Sequence, residues 1–256
     1  MLRSAEKPQW KTRWWSSLAT VAIVVLSYFI AQFVGAQLVY VYPYIHGWGA
    51  AQTSSWLKSS VAAQFFYVLI AETLTLLTLW LFVRRRITLK SLGLIRVRWR
   101  DVGYAVVGVL AYVALFLLVI NLIIQPLTSV NVSQEQDLGF NNVAGASSLL
   151  ITFVSLVALP PIVEEITFRG FLYSGLRHRM APIWATLLTS LLFATPHLLE
   201  SSNGQGLLWV AGIDTFILSL VLCYLREKSK SLWASIGVHM VKNSIAFVSL
   251  FIVHLR

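Results

Sequence analysis

The chain has 256 residues, of which 57% are hydrophobic and only 12% charged, with a mean hydropathy of +0.74. No soluble globule of this length has that balance, so the composition marks an integral membrane protein. A net charge of +10 invites a nucleic-acid reading, but the basic residues fall in a pattern that membrane topology explains better, and no nucleic-acid partner is expected.

Apolar runs long enough to cross roughly 30 Å of hydrocarbon occur at about 17–42, 60–83, 102–124, 150–176, 182–199, 207–225 and 231–253. The expected fold is therefore all-α, a polytopic transmembrane helical bundle of about seven spans. With the N-terminus inside, Arg3, Lys7, Lys11, Arg13, Arg84, Arg85, Arg86, Lys90, Arg96, Arg98, Arg100, Arg177, Arg179, Arg226, Lys228 and Lys230 all fall in the cytoplasm. Only Lys58 and Arg256 fall on the other side, while Arg169 and Lys242 lie within spans. This satisfies the positive-inside rule at each loop and predicts contact with anionic lipid. The expected location is a bacterial plasma membrane, in multi-pass form.

The first run follows basic residues, as a signal peptide would, but it is too long for an h-region and lacks a small-residue cleavage site, so it reads as a retained span. Trp10, Trp14 and Trp15 before it and Tyr40, Tyr42 and Tyr44 after it fit interfacial aromatic belts. The segments at 43–59, with His46 and Trp48, and at 125–146, with Asn131, Ser133, Glu135, Asp137, Asn141 and Asn142, read as ordinary connections. Cys223 is alone in an apolar run, which excludes a disulfide framework or a cysteine metal cluster. Residues 1–144 form an N-terminal membrane region with about three spans, and 145–256 form the region that carries the candidate chemistry.

Pro160 and Pro161 interrupt the fourth span just before Glu164. Proline removes a backbone donor and kinks a helix, so a break beside two carboxylates is expected to open space for water. Glu164 and Glu165 are adjacent and point about 100° apart on a helix, so they cannot share one role. Arg169 follows Glu165 by four residues, the spacing of an ion pair on one helical face. Glu164 is left without a local counter-charge in a desolvated setting, which suits a general base.

His197 lies on the fifth span, and His239 and Asn243, four apart, project together from the last. Helical rise places these groups and Glu164 at overlapping depths. Ionisable groups at membrane depth are costly unless paired or facing water, so their clustering on three spans points to a buried reaction site. A carboxylate base, two imidazoles and a carboxamide are what amide hydrolysis requires: an activated water, a proton donor to the amine, and donors to the oxyanion.

The strings Glu164-Glu165-Ile-Thr-Phe168-Arg169, Phe193-Ala-Thr-Pro-His197 and His239-Met-Val-Lys-Asn243 resemble, in order and on separate spans, the E-E-x-x-x-R, F-x-x-x-H and H-x-x-x-N motifs of the CAAX protease and bacteriocin-processing family of intramembrane peptidases. The resemblance covers about 145–253, and Ser91-Leu92-Gly93-Leu94 is similar to a softer upstream feature. It implies Glu164 as the base that activates water, His197 beside it, His239 and Asn243 at the oxyanion, Glu165 and Arg169 as support, and Phe193 as packing. The family is often called metalloproteases, and Glu164, His197 and His239 are side chains that could ligate a divalent metal such as zinc. No H-E-x-x-H helix is present to offer a familiar site.

The implied function is an intramembrane endopeptidase acting on a short peptide or membrane-tethered tail, of the prenylated C-terminal or bacteriocin type. The alternatives are a non-proteolytic scaffold or regulator of the same fold, and a transporter, for which no inverted repeat is visible. Serine, aspartyl and site-2 intramembrane motifs are absent. Glu72, Glu200 and Asp214 match no motif and are expected to serve packing, helix–helix hydrogen bonding or interfacial positions. Lys242 is expected to snorkel or pair with a carboxylate, and His46, His178 and His254 to be solvated.

Overall fold

The computed structural model describes residues 17–84, 87–131, 134, 139–140, 142–199 and 206–253. Arg3, Lys7, Lys11, Arg13, Trp10, Trp14, Trp15, Arg85, Arg86, Ser133, Glu135, Asp137, Asn141, Glu200, His254 and Arg256 lie outside the described residues.

Seven helices are long and apolar enough to cross a membrane: α1 (Ser17–Ile45), α3 (Val61–Val83), α5 (Trp99–Leu127), α6 (Gly145–Arg177), α7 (Pro182–Leu199), α8 (Trp209–Ser229) and α9 (Trp233–Val253). Two short helices, α2 (Ala50–Ser59) and α4 (Leu89–Leu92), lie between them, and no strand occurs among the described residues. Hydrocarbon offers no partner to a peptide group, so apolar sequence of this length satisfies its backbone internally as helix. Phe29, Phe33, Leu110, Leu122 and Leu191 are exposed on the outer faces of the helices, which suits lipid. The chain is a multi-pass integral membrane protein.

The helices α1 and α3 pack as an antiparallel pair, α7 lies along α8, and α5 is laid against α8 and α9. A Cβ on Gly108 of α5 would fall 2.7 Å from Leu225 of α8 and 2.8 Å from Val238 of α9, so the three-helix crossing requires glycine there. The start of α5 is fixed by Asp101, which is buried, accepts from the Arg98 backbone N–H at 2.9 Å and pairs with the Arg98 guanidinium at 3.3 Å. Helix α6 has the most neighbours of consequence, touching α1, α3, α7, α8 and α9. The residues of the first motif therefore sit where five spans converge.

The connection read at 43–59 contains the short helix α2. Coiling brings Trp56 back onto Tyr42, with ring centroids 5.2 Å apart in a stacked arrangement, while Trp48 meets both edge-on. His46 belongs to this cluster rather than to solvent alone: Nδ1 lies 2.8 Å from the Tyr42 carbonyl and the ring packs on Tyr42 and Trp48. The polar composition of the segment concealed an aromatic anchor.

Candidate active site

The geometry of the site begins with a backbone defect in α6. The carbonyl of Leu156 would receive the N–H of residue 160 in an α-helix or of residue 161 in a π-helix, and both are proline. The N–H of Leu159 is directed to the Val154 carbonyl. Asn243 of α9 fills the vacancy, its Nδ2 donating to the Leu156 oxygen at 2.9 Å. The prolines therefore produce an acceptor at membrane depth, and a carboxamide from another span meets it.

Beyond the prolines, α6 passes into a π-helical stretch, Glu165–Tyr173. The wider turn carries Glu165 and Arg169 into the protein interior, where both side chains are fully buried and paired, Arg169 Nη1 lying 2.9 Å from Glu165 Oε1. The pairing expected from the i, i+4 spacing is present. The guanidinium also stacks over the Phe193 ring at 4.3 Å, so the motif phenylalanine of α7 acts as a cation–π floor as well as packing.

Glu164 takes the other direction. Its side chain retains 26% exposure, and it lines a cavity of about 70 Å³ together with His197 and Phe193 of α7. His197 is turned by its own helix, Nδ1 lying 3.2 Å from the Phe193 carbonyl. His239 of α9 bridges the two glutamates: Nδ1 lies 3.1 Å from Glu165 Oε1 and Nε2 lies 3.6 Å from Glu164 Oε2. Its ring meets the Phe193 ring edge-on at 5.8 Å. Three spans thus bring Glu164, Glu165, Arg169, Phe193, His197 and His239 together. Asn243 sits one turn along α9 from His239 and is directed at the α6 backbone, with one of its two amide hydrogens engaged there.

Glu164, His197 and His239 do not form a metal-ligand set in this arrangement. Among the described residues, no group of three His, Cys, Asp or Glu side chains is close enough to hold an ion. Both His239 nitrogens face carboxylates.

The remaining wall of the cavity comes from residues that the sequence reading did not place in the site. Glu72 and Thr75 of α3, with Tyr28 and Gln32 of α1, line the same space as Glu164 and His197. Glu72 was expected to serve packing or helix–helix bonding; it stands instead as a second carboxylate at the cavity. The available signal was its charge within an apolar span, which requires a partner or water. Gln32 is held by a hydrogen bond from the Tyr67 hydroxyl. Asp214 and Lys242 pair at 3.1 Å, and the Tyr112 hydroxyl donates to the same carboxylate. This network ties α5, α8 and α9 together one residue before Asn243.

Residues 146–245 match the family described as "Type II CAAX prenyl endopeptidase Rce1-like". The chain is similar to an uncharacterized protein, YyaK, of Bacillus subtilis (strain 168), at 28% identity over 160 residues, covering 61% of this chain and 49% of that protein. It is also similar to an uncharacterized 24.3 kDa protein of Escherichia coli, at 29% identity over 102 residues, covering 39% of this chain and 44% of the relative. The chain thus spans about half the length of the curated relatives it matches. No solved structure gives a significant match.

Proposed function

We propose that the Type II CAAX prenyl endopeptidase Rce1-like domain formed by residues 146–245 works as an intramembrane endopeptidase in which Glu164 activates water for attack on a peptide bond. The observation that carries this reading is the unequal fate of two adjacent carboxylates. Glu165 is buried and committed to Arg169 and His239, while Glu164 keeps exposure and faces a cavity it shares with His197. A base must reach both water and substrate, and of the two adjacent carboxylates Glu164 is the one that faces the cavity.

Water held between Glu164 and the scissile carbonyl gives its proton to the Glu164 carboxylate as the oxygen attacks carbon. The resulting oxyanion is stabilised by His239 and by the second amide hydrogen of Asn243, the first remaining on Leu156. His197 stands on the cavity wall and, in its protonated form, gives a proton to the amine nitrogen as the C–N bond breaks; the proton held by Glu164 then passes to His197, which returns both groups to their starting states. Glu165, held by Arg169, fixes the His239 ring and its charge. The water-accessible space needed for hydrolysis in a membrane is supplied jointly by the 145–256 core and by α1 and α3 of the N-terminal region.

The substrate is a short peptide or a membrane-tethered tail. Purified protein in lipid nanodiscs, incubated with matched prenylated and unprenylated C-terminal peptides, should cleave one of them, and Glu164→Gln should retain binding without cleavage. Running the same cleavage assay with and without a metal chelator tests whether a divalent metal is required. Full activity of Glu164→Gln would overturn the assignment. Binding without cleavage by the wild-type protein would favour the scaffold alternative.

A further inference from the structure

A second cavity, of about 320 Å³, opens at the end of the bundle where α6 and α8 terminate. Three cations line it, Arg177, Arg226 and Lys230, against one carboxylate, Glu227. Two of the cations share that one carboxylate: Glu227 pairs with Arg177 at 3.1 Å and with Lys230 at 3.2 Å, and it also accepts from the Tyr173 hydroxyl at 3.0 Å. Burial, and then the neighbouring Arg177, hold the His178 imidazole below its ordinary range, so it adds no charge at neutral pH.

Arg226 is different. It is only 7% exposed, and no carboxylate lies within ion-pair distance of it among the described residues. Its Nη2 donates to the Ser91 carbonyl at 3.2 Å and to Ser174 Oγ at 3.3 Å, while its Nε has no partner. A buried guanidinium with no carboxylate in direct contact is costly, so a protein that keeps one has a reason to hold the charge there.

The seat for this side chain is built by the Ser91-Leu92-Gly93-Leu94 segment, whose role the catalytic reading does not absorb. Gly93 ends α4 with a φ of +93°, and a Cβ there would fall 2.8 Å from Arg226 Cζ. The Gly93 carbonyl accepts from the Leu232 N–H at 3.0 Å, which locks the turn against the start of α9. Glycine is favoured by the backbone conformation, and the planar guanidinium packs on the space a side chain would otherwise fill.

We propose that this cavity binds a phosphate group, with Arg226 as its principal counter-ion and Lys230 at its mouth. A guanidinium presents a planar fork matched to phosphate oxygens, and the Ser174 and Tyr173 hydroxyls stand beside it. The group could arrive as a phospholipid headgroup or as free phosphate. The same end of the bundle carries Arg84, Arg96, Arg98 and Arg100, which draw anionic lipid to it.

The test compares purified wild-type protein in nanodiscs of phosphatidylcholine alone with nanodiscs containing phosphatidylglycerol at equal ionic strength. A parallel titration of the detergent-solubilised protein uses inorganic phosphate against chloride. Melting temperature and lipid retention in native mass spectrometry are read for wild type, Arg226→Gln and Lys230→Asn. Lys230 has a φ of +56°, a conformation asparagine tolerates, so its replacement removes charge without straining the turn. The wild-type melting temperature should rise with phosphatidylglycerol, phosphate or both. Apparent affinity should fall roughly tenfold in Arg226→Gln, the loss of one charge-assisted pair, and to a lesser degree in Lys230→Asn. A response to lipid alone identifies the headgroup as the ligand; a response to inorganic phosphate in detergent identifies the free anion. If Arg226→Gln does not fold, Lys230→Asn decides. No response in wild type, or equal responses in wild type and every folded variant, overturns the site.

Discussion

Asn243 Nδ2 donates to the carbonyl oxygen of Leu156 at 2.9 Å, and this bond supplies the acceptor that Pro160 and Pro161 leave without a backbone donor. Asn243 is therefore both a splint for α6 and a donor with one hydrogen to spare. Asn243→Ala should leave a buried carbonyl unpaired and cost about 1–3 kcal/mol, read as a lower melting temperature in detergent. Adding Pro160→Ala restores an N–H four residues after Leu156 and should recover that stability. It should not recover turnover, which is expected to fall about a hundredfold to a thousandfold on loss of an oxyanion donor. Recovery of both together would mean that Asn243 acts only as a splint.

The Glu165–Arg169 pair has no exposure at either side chain. Removing one partner leaves an uncompensated buried charge, and Arg169→Ala should destabilise by about 3–5 kcal/mol, seen as reduced folded yield. Glu165→Gln should also free the His239 ring, whose Nδ1 lies 3.1 Å from Glu165, so stability and activity fall together. Unchanged thermal melts in both variants would contradict the buried pairing.

Glu164 should behave in the opposite way. Its carboxylate faces the cavity and keeps 26% exposure, so Glu164→Gln preserves shape and removes proton acceptance. The expected outcome is loss of cleavage with a melting temperature close to wild type. A large fall in melting temperature would show that Glu164 is a structural partner of His239 instead.

The Asp214–Lys242 pair, at 3.1 Å with side chains 16% and 22% exposed, joins α8 to α9. Breaking it singly with Lys242→Met strands the carboxylate and should cost about 2 kcal/mol, below the range for fully buried pairs because water still reaches it. The double replacement Asp214→Leu with Lys242→Met should be less damaging than either single change. Thermal melts of the three variants measure this, and strictly additive losses would show that the two side chains do not interact.

Arg84, Lys90, Arg96, Arg98, Arg100, Arg177, Arg179, Arg226, Lys228 and Lys230 flank helix ends on one side of the bundle. We expect that side, with the N-terminus, to be cytoplasmic. A reporter fused after Leu94 should read as cytoplasmic and one fused after Val130 as external. The reverse pattern would invert the topology.

The amino-acid sequence alone determined the seven spans, because hydrocarbon thickness and backbone satisfaction leave helix as the outcome for each long apolar run. It also determined the Glu165–Arg169 pair, since residues four apart meet on their own helix whatever surrounds them. Overlapping depths for Glu164, His197, His239 and Asn243 were legible too, but the contacts between spans were not. His239 reaches both glutamates across 74 and 75 positions of chain. Glu72 opens onto the Glu164 cavity because α3 packs beside α6, and Asn243 is turned to the carbonyl left by two prolines on another span. In each case the rotation and depth of one helix against another decide which side chains face one another. Those quantities are set by close packing at contacts such as Gly108 against Leu225 and Val238, which no hydrophobic period encodes.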